Sequence, residues 1–281
     1  MRTLNLLGVT IFAGLLSNCK NDTDVVSGPE PSQIESIERV IVDKKTTDTL
    51  KTVFDFEFDD QGRVIKMVGR DHTDIKTVYE LTYNSDGNLA QIDLSEQDTE
   101  VLGTQRSAYL YDNDRLVEEQ MLFVDGAETE LYATRTYEYN DCCENQLASV
   151  TTYFEGIETP YSIVEFTYGK DQINPTTIKY FHVASETFTE YGFEYFDSEP
   201  NALLPYYLCT QIQGNFLHLI TRSVSAYSFR LTNGGLLHYQ YSLDYSDEFL
   251  DANGKGKVER LAQVSEASEI YYQITYKFLH K

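Results

Sequence analysis

A short aromatic pattern recurs along most of this chain and restricts it more than any other feature does. The runs are Phe56-Glu57-Phe58, Leu81-Thr82-Tyr83, Tyr109-Leu110-Tyr111, Tyr137-Glu138-Tyr139, Phe166-Thr167-Tyr168, Phe193-Glu194-Tyr195, Leu243-Asp244-Tyr245 and Ile274-Thr275-Tyr276. Each places apolar side chains two residues apart around a middle residue that is polar in seven of the eight runs, Leu110 being the exception. Two is the side-chain period of a β-strand, so each run presents its aromatic or aliphatic groups on one face and its middle residue on the other.

The third positions fall at 58, 83, 111, 139, 168 and 195, spaced by 25, 28, 28, 29 and 27 residues. That period accommodates two strands of about ten residues and two turns. Turn chemistry follows the early runs: Asp59-Asp60-Gln61-Gly62, Asn84-Ser85-Asp86-Gly87 and Asp112-Asn113-Asp114. Asp and Asn open tight turns through their side chains, and Gly takes the positive φ. A second strand is expected after each run, at 63–68, 88–94, 115–123, 146–154 and 173–182. The expected fold is all-β: an antiparallel meander of about 13 to 15 strands, forming a strongly curved sheet or partly closed barrel. A two-layer β-sandwich is the alternative.

The segment Phe56-Glu57-Phe58-Asp59-Asp60-Gln61-Gly62-Arg63-Val64 resembles the Tyr-Asp repeat of Rhs and teneurin proteins, with looser copies at 83–89 and 109–116. The third copy lacks the Gly, and later copies keep the aromatic strand but lose the turn motif. Together with the N-terminus described next, the chain is similar to the DUF4595-type lipoproteins of Bacteroidetes over about residues 50 to 280. The resemblance implies a structural repeat and no catalytic residues.

Residues 6–16 (LLGVTIFAGLL) follow Arg2 and are too short to span a bilayer. They lead into Leu16-Ser17-Asn18-Cys19, which resembles the bacterial lipobox, although Asn18 departs from the usual Gly or Ala. This divides the chain into a signal peptide (1–18), an acidic tether (19–33) and one β-repeat domain (34–281). Cys19 is the expected lipidation site, and the lipid is the expected membrane contact. Lys20-Asn21-Asp22-Thr23-Asp24 resembles a surface-export signal of such lipoproteins, which implies an outer-membrane lipoprotein exposed at the surface; a plain acidic linker, leaving it in the periplasm, is the alternative.

A formal net charge of −23 argues against nucleic acid as a partner. After Cys19 the cysteines are Cys142, Cys143 and Cys209, so one of the adjacent pair has the option of bridging to Cys209. No His stands at zinc-ligand spacing from them, and no nucleophile elbow, phosphate loop or dinucleotide fingerprint occurs. Asp59-Asp60, Asp112 to Asp114 and Asp251 to Gly256 are acidic turns without calcium-loop spacing. No cofactor, metal or catalytic residue is expected. Glu57, Glu138, Glu194 and Asp244 occupy the polar positions of strand faces.

One stretch, 198–222, breaks the alternation with Pro200 and Pro205 and is expected to be a loop with a short helix. It offers Tyr206, Tyr207, Gln211, Gln213, Asn215 and His218 as the candidate ligand-binding set. Its Leu203, Leu204, Leu208, Phe216, Leu217 and Leu219 equally fit a plug for one end of the sheet. The function expected is a non-catalytic binding or scaffold module taking a glycan or protein ligand. The alternative is a carbohydrate-binding or carbohydrate-active component of a glycan-uptake system, for which an exposed tyrosine row beside a carboxylate pair would be the sign.

Overall fold

The structure is a computed structural model that describes residues 34–43, 46–71, 76–97, 103–140, 146–169, 174–200, 203–214, 216–219, 222–231, 236–244, 258–264 and 270–280. Cys19, Cys142, Cys143, Asn215, Tyr245 and the turn at 251–256 lie outside these residues.

Sixteen strands are found among the described residues, where the repeat pointed to about 13 to 15. They are β1 Ile34–Asp43, β2 Thr49–Phe58, β3 Val64–Arg70, β4 Lys76–Tyr83, β5 Leu89–Gln97, β6 Thr104–Asp112, β7 Arg115–Asp125 and β8 Glu128–Tyr139. They continue as β9 Leu147–Phe154, β10 Ser162–Tyr168, β11 Pro175–His182, β12 Thr187–Pro200, β13 Arg222–Leu231, β14 Leu236–Asp244, β15 Val258–Val264 and β16 Ile270–His280. Each strand pairs antiparallel with the next, and β1 pairs with β16 from Ile34↔His280 to Asp43↔Tyr272. The meander therefore closes into a barrel, and closure leaves no edge strand exposed.

Between β12 and β13 a helix, α1 (Leu204–Thr210), replaces the turn, followed by 3-10 turns at Gln211–Gln213 and Leu217–Leu219. Pro205 is tolerated because it lies in the first helical turn, where its missing N–H has no intrahelical partner. The helical run stops at Gly214, whose φ of +80° is left-handed.

The faces sort as the alternation requires. Phe56, Leu81, Tyr109 and Phe166 are buried, while the middle residues Glu57, Thr82, Leu110, Glu138, Thr167 and Glu194 are exposed. Phe58, Tyr83, Tyr111 and Tyr276 are half-buried against one core cluster, and Tyr139 and Tyr168 against a second.

The register shows why the repeat ends in an aromatic ring. At Phe58, Tyr83, Tyr111, Tyr139, Tyr168 and Tyr195 the pairing shifts by one, so that Ile65, Ala90, Val117, Ala148, Thr176 and Ser225 are skipped on the outgoing strand. Such a two-against-one bulge bends the strand and disrupts the ladder locally. The next hairpin's tyrosine repairs the loss. Tyr83 donates to the Val64 carbonyl at 2.8 Å, Tyr111 to Leu89 at 2.9 Å and Tyr139 to Leu116 at 3.1 Å. Tyr195 donates to Pro175, and Tyr168 is hydrogen-bonded to the backbone of Leu147. Every acceptor is the first residue of a bulge. Phe58, the first member, has no hydroxyl, and β1 and β2 pair without a register shift.

The turns reinforce these joints. Asp59 Oδ1 accepts from the backbone N–H groups of Gln61 and Arg63, and Arg63 Nε donates to Asp59 Oδ2 at 2.8 Å. The Arg63 guanidinium then lies 4.3 Å from the centre of the Tyr83 ring in the next hairpin. Arg115 lies over Tyr139 in the same way, at 5.7 Å. Asn84 repeats the Asp59 geometry, accepting from Asp86 and Asn88. At Asn113 and Asp114 two residues with φ of +49° and +63° make a shorter turn without glycine. The Asp59 carboxylate, which stands in an acidic turn, is thus committed to its own turn and to Arg63.

Two outcomes follow. Tyr111→Phe should lower stability by about 1 kcal/mol, the net worth of one hydrogen bond. Tyr111→Ala should cost roughly 3–5 kcal/mol, because ring burial is lost as well. Urea unfolding of both variants measures the difference. Second, burial pushes the Tyr168 hydroxyl up to about 12, and Tyr83 and Tyr111 are raised for the same reason. Unfolded tyrosine ionises near 10. The stability these groups contribute is complete below that pH and is lost as pH rises through the folded values. The melting temperature should therefore hold to about pH 10 and fall steeply toward pH 12.

Candidate functional site

The barrel interior is the only face on which the chain gathers polar groups away from water among the described residues, and the insert divides it. From its place between β12 and β13 the insert reaches several walls. Tyr206 packs on Phe54 of β2 with ring centres 4.7 Å apart, and Gln213 donates to the Tyr79 hydroxyl of β4 at 2.9 Å. Phe216 meets Phe166 of β10 edge-on at 5.5 Å, and its N–H lies 3.4 Å from the Tyr180 hydroxyl of β11. Leu203, Cys209 and Ile212 are buried in the first core cluster, and Phe216 is buried in the second.

Of the ligand-binding set read from the sequence, Tyr206 and Tyr207 are half-buried against the first cluster, their rings 5.7 Å apart. Gln211 is buried, Gln213 is held by Tyr79, and His218 lies 6.2 Å from the Phe216 ring. The structure thus gathers Tyr206 and Tyr207 at the first core cluster, buries Gln211, leaves Gln213 exposed and sets His218 beside Phe216 of the second cluster. Cys209 is a fully buried free thiol, and burial pushes its ionisation up.

Beneath the insert sits a charged network that the repeat gave no reason to expect. Glu119 of β7 is 1% exposed and Arg135 of β8 is 7% exposed. Arg135 Nη1 donates to both Glu119 oxygens, at 3.1 and 2.9 Å. Ser107 Oγ donates to Oε1 at 2.6 Å, and the Tyr137 hydroxyl donates to Oε2 at 2.8 Å. A buried carboxylate requires such saturation, since an unpaired charge in this setting costs several kcal/mol. Burial opposes the charge on Arg135, but Glu119 beside it outweighs that effect and keeps the guanidinium protonated. Burial likewise pushes Tyr137 and Tyr109 well above the ordinary tyrosine value. A carboxylate filled by three donors has no room to serve as a base toward a substrate. Alternation alone does not find the pair: the skipped Val117 changes the face on which Glu119 falls, so its position opposite Arg135 follows only from the register.

The network also anchors the insert. A Cβ added at Gly214 would stand 2.8 Å from Arg135 Nη2, so the chain passes closely over the guanidinium there, in a backbone conformation that side chains disfavour.

The other half of the interior is less filled. Leu50, Phe123 and Phe154 share the inward face with Phe54, Met121 and Val150, yet are 49%, 46% and 37% exposed. All three lie toward the barrel end opposite the Asp59 and Asn84 turns. On the outer side of that rim a shallow cleft of about 570 Å³ borders Phe154, lined by the outward-facing Thr134 and Tyr153 and by Glu155, Gly156, Ile157 and Glu158 of the turn.

Outside, charges pair across strands: Lys66 with Glu80 at 3.6 Å, Arg106 with Asp93 at 2.7 Å, Lys51 with Glu38 at 2.6 Å, and Arg70 with Asp55. Glu57, Glu138 and Glu194 stand exposed on this outer face, on separate strands. No group of metal-ligating side chains is assembled among the described residues.

Glu119→Ala should destabilise the fold by about 3–5 kcal/mol by leaving Arg135 buried and unpaired. Replacing both together, as Glu119→Leu with Arg135→Met, should recover much of that loss. Chemical denaturation of the two variants decides it; equal losses would show that the pair is not coupled.

No family model matches the chain, and no curated protein matches it. Among solved structures it is similar to a porin-like protein from Bacteroides uniformis at 13% identity and a TM-score of 0.53, covering 88% of this chain and 98% of that one. A porin-like protein from Bacteroides vulgatus aligns at 9% identity and a TM-score of 0.36, over 89% and 99% of the two chains. The likeness to the B. uniformis protein is one of fold, spanning nearly all of both chains.

Proposed function

We propose that this chain is a non-catalytic binding or scaffold module of a bacterial cell envelope, held at the outer membrane by lipid on Cys19 rather than by its barrel. The observation that carries the proposal is the polarity of the wall. A membrane-spanning barrel shows lipid an apolar band and keeps polar groups in its lumen. Here the described outer face carries Glu57, Lys66, Glu80, Asp93 and Arg106, and the inner face carries Phe54, Phe56, Met67, Ile92 and Val150. Charges on a lipid face are costly, by roughly 2–4 kcal/mol for each Arg or Lys at the midplane. A water-facing barrel needs another means of staying at a membrane, and the 16–19 segment supplies one. Anchoring by acyl chains is strong, at about 0.8 kcal/mol per buried methylene.

The fold of the B. uniformis porin-like protein supports an envelope setting, and the resemblance to Tyr-Asp repeats and DUF4595-type lipoproteins rests on the recurring aromatic runs and their turns. The non-catalytic part of the proposal is supported by the filled Glu119 carboxylate and by the separation of Glu57, Glu138 and Glu194 on different strands.

The test is membrane fractionation of the full chain beside Cys19→Ala. The wild-type protein should sediment with membranes and carry acyl mass on an N-terminal Cys19, whereas the variant should move to the soluble fraction. A variant that resists alkaline carbonate extraction, or discrete channel conductance in planar bilayers, would overturn the proposal, as would turnover of a polysaccharide in a hydrolase screen.

A further inference from the structure

Exposed aromatic side chains on an otherwise core-facing surface call for an explanation, because the fold gains nothing from leaving them wet. Phe123 stacks on Tyr132 with ring centres 4.3 Å apart, Phe154 lies 4.6 Å from Tyr161, and Tyr161 meets His182 edge-on at 6.1 Å. These residues stand at or just beyond the ends of β7, β8, β9, β10 and β11 on one side of the barrel mouth. At a strand separation of about 4.8 Å the row extends roughly 19 Å.

The row is fixed in place by backbone bonding. Glu155 N–H donates to the Tyr132 carbonyl at 3.0 Å, Tyr161 N–H to Thr152 at 2.8 Å, and Val183 N–H to the Tyr161 carbonyl at 3.1 Å. Tyr161 is thereby bound on both sides although its ring is 44% exposed. A ligand laid along it would pay little for ordering the protein.

We propose that this mouth is a binding site for an uncharged glycan chain, an inference that rests on the envelope-module reading and names its ligand class. A row of exposed rings running across several strands suits a ligand that itself repeats ring by ring, with C–H groups to lay against the aromatics and hydroxyls at its edges. The hydroxyls find acceptors. Glu130, exposed, is the cross-strand partner of Phe123, and Glu155, also exposed, directly follows Phe154 in the turn at the rim. Carboxylates can only accept hydrogen bonds when ionised, which matches a ligand made of donors. The net charge of −23 rejects acidic polysaccharides and nucleic acid. Mouths of β-barrels with apolar walls and a few convergent polar groups are frequent ligand sites.

The test is native gel electrophoresis of the detergent-extracted full chain through gels containing laminarin, mannan, pullulan or dextran, with alginate as the acidic control. At least one neutral polymer should retard the protein, and alginate should not. Phe123→Ser with Tyr161→Ala should weaken retardation at least tenfold while leaving the melting temperature near wild type, since both rings are exposed. If that double variant does not fold, Glu130→Gln with Glu155→Gln should weaken retardation without touching a ring. Gln213→Ala, in the insert, should leave retardation unchanged. Full mobility in every neutral gel would overturn the site, as would undiminished binding by the ring variant or salt-sensitive capture by polylysine alone. Fractionation of Cys19→Ala is independent of these outcomes, so failure of the mouth site leaves the anchoring proposal standing.

Discussion

One hydrogen bond, made again and again, holds this barrel to its shape. In the hairpins from β2–β3 to β10–β11 a bulge in the outgoing strand bends the wall, and beside it the carbonyls of Val64, Leu89, Leu116, Leu147 and Pro175 lie where the following hairpin's tyrosine reaches them. A buried carbonyl without a donor would cost more than a formed bond returns. The hydroxyl arriving from the following hairpin removes that cost and positions the hairpin that brings it. Curvature and registration are therefore one interaction, and Phe would fill the same volume without supplying it. Arg63 over Tyr83 and Arg115 over Tyr139 act at the same joints from the turn side.

Much of this was legible in the chain because each side chain in question does its work within one hairpin or the next. Phe56 and Glu57 disclose the two faces by alternation, and Asp59 and Gly62 disclose the turn. What escaped has two causes. β1 (Ile34–Asp43) carries no Phe or Tyr, so the repeat could not reveal it, and without β1 there was no partner for β16 and no closed ring. The pairing of Glu119 with Arg135 depends on register: a shift of one residue would send either charge to the outer face. Tyr206, Gln213 and His218 were visible as polar groups in an irregular stretch. That Tyr206 joins the first core cluster, Gln213 stays exposed and His218 lies beside Phe216 of the second is set by the distance the insert spans, and the bond from Gln213 to Tyr79 bridges 134 residues of sequence.

The interior is organised by contrast between its ends. Near the Asp59 turns the insert brings Leu203, Ile212 and Phe216 into the space that a ring of sixteen strands encloses, and a ring of that size is otherwise wide enough to admit water. Toward the other end Leu50, Phe123 and Phe154 keep the inward facing of core residues without the cover. The fold thus joins a filled half, which holds the buried charge pair, to a mouth whose aromatic side chains stay open to solvent.

The seam between β1 and β16 sets an order of events. The chain emerges from synthesis with β1 first, and the strand that completes it is the last to arrive. Hairpins from β2 to β11 have local partners and can form as they appear, each docking on its predecessor. β1 must keep its outer row of amide and carbonyl groups available until β16 reaches it. Loop-closure entropy makes this pairing the slowest kind of contact to find. Its completion removes the last strand edge on which another copy of the chain could build, so the interval before closure is when the protein is most open to misassembly.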